Sequence, residues 1–378
     1  MLAPGEVPVY KRLPLEVVSG DGVVVHTRDG RDLLDFYGGH AVALLGYRHP
    51  GLLAALARQA ETLFFQTNLV DLAVRKDACL RLARFAPRGL DHVFLVNSGA
   101  EANENALRLA IRHTGRTKVV CLEGGWHGRT AAAAAVTYDS APWYGFPRTP
   151  FDVARVQHDD PKALESAIDD ATAAVILEPV QGQIGARAIA AGFLQAARAL
   201  TAERGALLIA DEVQCGMGRT GSRFAIEAAG VLPDLLTTAK GLAGGFPAGA
   251  VLMTEAIAQR IEPGHLGTTF GGGPLAAALI VAVLDALETP GFLEHVVAMG
   301  DLLRATCRVG PVAAIQGRGL LTGLRTTRPS AEVLAALRDR GILAGGSGDP
   351  HVIRVMPPLI IAEEHVRALA RALAEIGA

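Results

Sequence analysis

Through the middle of the chain, short apolar runs alternate with stretches of helical spacing, and this alternation constrains the fold more than any other feature. Runs of β type stand at 92–96, 118–122, 173–177, 207–210 and 248–253, and helical patterns at 100–113, 161–168, 192–204 and 274–287. The runs are almost continuously apolar instead of alternating, which marks strands covered on both faces. Strand–helix–strand order with such strands predicts an α/β fold built on a mainly parallel sheet. Ligands of such sheets sit beyond the carboxyl ends of the strands, so the loops that follow the runs are where chemistry is expected.

The flanks read differently. Segments 23–27 and 31–36 surround Arg28-Asp29-Gly30, a hairpin signal. After about residue 287 the pattern becomes helix, two short strands (312–316 and 320–324), helix 331–340, strand 352–355 and a last helix from Glu363. The expected organisation is therefore a large domain over 46–287, a smaller α+β domain over 288–378, and an N-terminal segment, 1–45, that joins the smaller domain.

Composition removes several functions. Thirty-six Lys and Arg against 38 Asp and Glu give a net charge of −2, which excludes nucleic-acid binding driven by bulk charge. The longest uncharged stretch, 266–284, opens with Gly, Thr and Pro, and its apolar part spans only 275–284. A membrane span needs about 20 apolar residues, so this part reads as a buried helix and no membrane partner is expected. Cys79, Cys121, Cys215 and Cys307 form no C-x-x-C pair, as in a reducing compartment. With no apolar leader at the N-terminus, a cytoplasmic location is expected. The eleven histidines show no metal-ligand spacing, so no metal is expected.

Three sites carry chemistry. Asn97-Ser98-Gly99-Ala100-Glu101-Ala102-Asn103 joins an apolar run to a helical one. Ser98 or Gly99 can open the helix, and the free N–H groups there suit phosphate; an ordinary N-cap explains the same residues. Asp211 and Glu212 end a buried-type strand. A carboxylate there costs several kcal/mol to desolvate unless it meets a cation, such as a protonated heterocycle nitrogen, or loop amides. Lys240 stands between an apolar stretch and a Gly-rich loop, as an imine-forming amine or a solvated surface group. GMGRTG at 216–221 matches G-x-G-x-x-G, but Asp211–Gln214 separate it from the strand and no good helix follows. It does not meet the context of a dinucleotide fingerprint.

Taken together, eight segments in order resemble the class III (ornithine-type) aminotransferases, most closely the acetylornithine aminotransferases. They are DFYGGHAVALLGYRHP, NSGAEANENALRLA, GGWHGRT, ILEPVQGQIG, ADEVQCGMGRTG, TTAKGLAGGFPAG, GTTFGGGPLA and VIRVMPPL. The resemblance implies the fold type I architecture of pyridoxal 5'-phosphate enzymes, with a seven-stranded, mainly parallel sheet. It implies that Lys240 holds the cofactor covalently, that Asp211 pairs with the pyridine nitrogen and that Gln214 lies near the phenolic oxygen. Ser98, Gly99 and Ala100 match the phosphate loop. Trp126 stands where the family has a stacking Phe. Thr269 matches a threonine reaching the phosphate from the other subunit, which implies a homodimer with shared sites. Arg354 matches the arginine for the α-carboxylate of glutamate, and Arg129 the one for the distal carboxylate of acetylornithine.

The implied reaction moves the terminal amino group of N-acetylornithine, or a close analogue in arginine or lysine biosynthesis, to 2-oxoglutarate in a ping-pong cycle. Two departures bear on it. The family reads Q-G-E where this chain has Gln181-Gly182-Gln183, and Gln183 cannot neutralise Arg354 as a glutamate does. His40 occupies a position that varies in the family, where it contacts substrate or caps a turn. The alternatives are another ω-aminotransferase (for ornithine, carrier-bound lysine, 4-aminobutyrate or a secondary-metabolite amine), a glutamate-semialdehyde aminomutase, a non-catalytic scaffold and a nicotinamide oxidoreductase.

Overall fold

The computed structural model describes residues 5–377; residues 1–4 of the expected N-terminal segment and residue 378 of the C-terminal domain lie outside it. At the centre is a seven-stranded sheet in the order His92–Val96, Gly249–Met253, Leu235–Thr238, Leu207–Asp211, Thr172–Leu177, Lys118–Leu122 and Asp152–Val156. Gly249–Met253 runs antiparallel to both neighbours, and the other pairings are parallel. The five expected strands are all present. Two more complete the sheet: Leu235–Thr238, only four residues long, and Asp152–Val156, whose partly exposed residues place it at an edge.

Burial explains the sequence pattern. Every residue of Thr172–Leu177, Leu207–Asp211 and Leu235–Thr238 is buried, so neither face of these strands has a place for a solvated side chain. Helix Gly99–Thr114 covers one side with Ala102, Ala106, Leu107, Leu109 and Ala110 buried, and Gly115 ends it in the left-handed region at φ 70°. Helix Pro274–Leu287 is apolar almost all round because Pro50–Thr62 and Ala73–Phe85 pack over it. Those two covering helices are absent from the sequence reading. Among the described residues no single helix is long and apolar enough to cross a membrane.

The expected hairpin forms between Val24–Thr27 and Asp32–Asp35, extended by Val17–Asp21 into a meander. Ile342–Leu343 adds a parallel strand beside Asp32–Asp35, so the N-terminal and C-terminal segments share a sheet. A further antiparallel sheet joins Val312–Arg318, Leu321–Thr326, Val352–Val355 and Gly345–Gly346. It brings Arg354 towards the edge of the large sheet, where Arg354 bonds the Gly182 carbonyl at 3.5 Å.

Candidate active site

The loops at one edge of the large sheet enclose a cavity of about 410 Å³. Its wall includes Ser98, Gly99 and Ala100 after the first strand, Trp126 and Arg129 after Lys118–Leu122, Asp211 at the end of Leu207–Asp211, and Lys240 just past Leu235–Thr238. Six strands running in one direction deliver their carboxyl ends to this edge, which is why residues far apart in sequence meet there.

The anion cradle is a helix start. Ser98 is the N-cap of Gly99–Thr114, and its hydroxyl accepts the Glu101 N–H at 3.2 Å. The Glu101 carboxylate turns back onto the Asn97 N–H at 2.7 Å. The N–H groups of Gly99 and Ala100 in the first turn have no intrahelical acceptor. A Cβ at Gly99 would lie 2.6 Å from Val213 Cγ1, so only glycine fits between the helix and the loop after Asp211.

Asp211 is 2% exposed. Its Oδ2 accepts from Asn103 Nδ2 and meets His127 Nδ1, both at 2.7 Å, and its Oδ1 accepts the Val213 N–H at 3.0 Å. Burial alone would strip the proton from His127, but the bond to Asp211 and the charges of Asp211 and Glu178 outweigh burial and raise its pKa. Asn103 Nδ2 also donates to the His127 carbonyl at 2.7 Å, and its Oδ1 accepts from Thr237 Oγ1 at 2.6 Å. Glu178, also buried, accepts the N–H groups of Trp126 at 2.8 Å and Gly182 at 3.2 Å. Burial, then the negative charge of Asp211, holds its carboxyl above the usual range. The Asp211 carboxyl is thus held inside the protein by donors on its far side, a placement suited to a cationic partner.

Lys240 sits in the left-handed region at φ 48°, a conformation that costs a non-glycine residue about 1 kcal/mol. Burial lowers its pKa, and the carboxylates of Asp211 and Glu178 oppose the shift. Lys240 is partly buried and lines the cavity, and an amine whose surroundings favour the neutral form is suited to act as a nucleophile.

Arg354, 5% exposed, donates through Nε to the Gly346 carbonyl at 2.6 Å and through a terminal nitrogen to Tyr37 Oη at 3.3 Å. It has no carboxylate partner within 4 Å among the described residues; burial lowers its pKa, against the charge of Glu178. Tyr37 Oη lies 2.5 Å from His40 Nδ1. Loss of water, then the positive charges of Arg354 and Lys240, push the His40 pKa down to about 4. His40 is therefore neutral near pH 7 and shares a hydrogen bond with the Tyr37 hydroxyl.

Arg354, His40, Gln183, Gln214 and Thr269 all lie off the wall of this cavity. The main-chain carbonyl of Gln183 accepts the Gly348 N–H at 2.7 Å. Gln214 Oε1 is buried without a partner among the described residues and lies 1.7 Å from where a Cβ at Gly182 would stand, so a side chain at Gly182 would displace the Gln214 amide. Thr269 is exposed. Sequence reasoning missed Asn103, His127, Glu178 and Tyr37, although each lies within or beside a quoted segment; the signal was proximity to the motif, not residue type. Asn103 is one helical turn from Gly99, on the same face of its helix.

These features fit pyridoxal phosphate: an N–H cradle for its phosphate, a buried acid for its ring nitrogen, an aromatic wall and a partly buried amine. The profile of the family "Aminotransferase class-III" matches residues 7–376. Acetylornithine aminotransferase of Mycobacterium tuberculosis is 44% identical over 374 residues, covering 97% of this chain and 92% of the relative. That of Streptomyces coelicolor is 43% identical over 367 residues, covering 96% and 90%. The crystal structure of ornithine aminotransferase from Toxoplasma gondii superposes with a TM-score of 0.91 at 32% identity, covering 97% of this chain and 92% of that one. Acetylornithine aminotransferase from Elizabethkingia anophelis gives 0.87 at 31%, covering 98% and 96%. The chain belongs to the class III aminotransferases, enzymes that use pyridoxal phosphate to move an amino group between a small-molecule donor and an oxo acid.

Proposed function

We propose that this enzyme transfers the terminal amino group of N-acetylornithine, or of a close analogue in arginine or lysine biosynthesis, to 2-oxoglutarate in a ping-pong cycle. The observation that carries the reading is the convergence of Lys240, Asp211 and the Ser98–Gly99–Ala100 cradle on one cavity. The acetylornithine aminotransferases among its relatives support the donor.

In this reading Lys240 Nζ holds the cofactor, Asp211 faces its ring nitrogen, the cradle takes the phosphate, Trp126 covers the ring and Gln214 stands near the phenolic oxygen. Pyridoxal phosphate, when bound, supplies a carbonyl that joins amines and a cationic ring that takes up the electron pair of the bond broken at the substrate carbon. Asn103 and His127 hold the Asp211 carboxyl in place, where it would face the ring nitrogen. Lys240 Nζ would take the proton from the substrate carbon and return it. Arg354 receives the α-carboxylate of 2-oxoglutarate and Arg129 the distal carboxylate of acetylornithine, each through the fork of its guanidinium. Thr269, exposed and off its own cavity, reaches the phosphate of a second copy, which makes the enzyme a homodimer with shared sites. The strand shared by the two ends of the chain supports grouping 1–45 with 288–378 against a cofactor-holding unit over 46–287.

One observation favours a second reading. Arg354 has no carboxylate partner, and Gln183 offers none, so the α-carboxylate site stays charged while an ω-amine binds. That suits a donor other than acetylornithine from the ω-amine class. Half-reactions separate the two. The expected wild-type enzyme shows the visible absorbance of lysine-bound pyridoxal phosphate, loses it faster with acetylornithine than with ornithine, and lacks it in Lys240→Ala. Equal rates with the two donors remove acetylornithine as the preferred substrate; an unchanged band in Lys240→Ala removes the role given to Lys240.

A further inference from the structure

The chain has two tryptophans, and both touch Arg129. The guanidinium carbon lies 5.2 Å from the Trp126 ring centre and 4.4 Å from that of Trp143. The two ring centres are 5.6 Å apart, with their planes inclined by 38°. These separations close a triangle, so the guanidinium lies across the open side of an indole pair, not between parallel plates. Each indole face attracts the cation, and together they restrain a planar group that would otherwise rotate freely at the cavity mouth. Arg129 has no ion-pair partner among the described residues, while neighbouring His127 is paired with Asp211.

The surrounding backbone ties the cluster together. Glu104 accepts from Thr130 Oγ1 at 2.5 Å and from the N–H groups of Ala132 and Ala133 at 2.9 and 3.1 Å, which fixes the segment just after Arg129. Tyr144 donates its hydroxyl to the Ala131 carbonyl at 3.0 Å, and the Trp143 N–H bonds the Ser140 carbonyl at 3.0 Å. Arg129 and Trp143 are thereby anchored to the same short helix, Ala131–Ala135. Trp126 and Arg129 line the cavity, and Trp143 backs them from outside it.

We infer that Trp143 is a positioning residue for Arg129. It restrains the guanidinium from the side away from the cavity, as Trp126 does from the cavity wall, and so makes the site select substrates with a carboxylate at the end remote from the reacting group. A carboxylate binds a guanidinium in its plane, so fixing the plane sets where the remote carboxylate lies. The inference rests on the reading that Arg129 receives that carboxylate, and it adds a residue from a loop that contributes nothing else to the cavity.

The test compares 2-oxoglutarate, which has a distal carboxylate, with pyruvate, which has none, as acceptors for the holoenzyme. Trp143→Leu keeps apolar bulk without a π face, and Trp143→Phe keeps the face. Trp143→Leu should raise the KM for 2-oxoglutarate about tenfold and that for pyruvate less than about twofold, with kcat changed little; Trp143→Phe should recover most of the loss. A binding readout runs beside the kinetics. Both tryptophans belong to this cluster, so glutarate, an unreactive dicarboxylate, should shift the intrinsic emission of the wild type, and Arg129→Ala should abolish the shift. If Arg129→Ala leaves the KM for 2-oxoglutarate unchanged, the distal-carboxylate reading itself falls. If Arg129→Ala raises that KM while Trp143→Leu does not, or if Trp143→Leu raises both acceptors' KM equally, the reading stands and the inference is overturned.

Discussion

Asp211 ends its strand and Glu212 is the next residue, and neighbouring side chains of extended backbone point to opposite faces. Asp211 faces the cavity, whereas Glu212 turns into the core. There its carboxyl accepts the N–H groups of Ala225 at 3.0 Å and Ile226 at 2.7 Å and the Cys215 thiol at 3.1 Å. The sequence marks both as carboxylates at a strand end; only the register of the strand separates the acid of the site from the acid of the core. Burial pushes the Glu212 carboxyl up from 4.5 to about 7. Between those values the folded chain keeps a proton that the unfolded chain has lost, so unfolding releases a proton and stability falls as pH rises. Glu212 alone then removes about 3 kcal/mol between pH 4.5 and pH 7. Denaturant unfolding at pH 5 and pH 7.5 should show this loss in the wild type and a loss smaller by about that amount in Glu212→Gln. The variant is less stable at both values, since it exchanges an acceptor for a donor among three donors. Equal pH dependence in the two proteins would contradict the assignment. His40 is the converse case. Its position invites a substrate contact or a turn cap, and what defines it is a charge environment made by Arg354 and Lys240, from segments some 200 and 300 residues away, which no local pattern reveals.

Helix Gly99–Thr114 shows how one element carries two parts of the site. Its first turn presents the N–H cradle, and one turn further Asn103 reaches Asp211, the His127 carbonyl and Thr237 at once. The helix was legible because its N-cap, its acidic first turn and its terminal Gly115 agree with its apolar spacing. Asn103 was not, because a polar residue in a helix reads as solvent-facing until the sheet beneath it is known. Leu235–Thr238 escaped for a related reason: four residues ending in two threonines give too short a run for periodicity to act on. Helices Pro50–Thr62 and Ala73–Phe85 carry several buried or half-buried apolar side chains between long charged ones, so their pattern is diluted. Asn103→Leu keeps the helix and the volume and removes one acceptor and two donors. It should cost about 3 kcal/mol of stability, because the His127 carbonyl and the Thr237 hydroxyl are left buried and unpaired. It should also weaken retention of pyridoxal phosphate by about tenfold or more, measured by dialysis against absorbance, because Asp211 loses one of the donors that hold its carboxyl in place. Loss of stability without loss of cofactor would show Asn103 to be a core residue only.

At the scale of the molecule, the large sheet was legible because its strands are buried on both faces, while the way the chain's ends meet was not. Ile342–Leu343 is a two-residue strand, recognisable only by its partner Asp32–Asp35. The surface also carries Phe64, Leu69 and Phe270 at 69%, 92% and 67% exposure. Asn68 Nδ2 bonds the Thr268 carbonyl at 2.8 Å and the Gly271 carbonyl at 3.2 Å, which places Leu69 and Thr269 on adjoining loops. A symmetric pair joined through this face would cover the apolar residues and carry each Thr269 across to the other copy. Shared sites have a consequence that separate sites lack. Lys240→Ala and Thr269→Asp chains each assemble into dimers with two damaged sites, one lacking the amine and the other placing a carboxylate against the phosphate. A mixed dimer contains one site with both lesions and one with neither. Equal mixing by co-expression, with random pairing, should therefore return roughly a quarter of wild-type activity from two preparations that are each nearly inactive. If each Thr269 serves its own chain, every site in the mixture carries one lesion and activity stays at the level of the parents. Restored activity that vanishes when the two chains are purified apart and never mixed would place Thr269 across the interface.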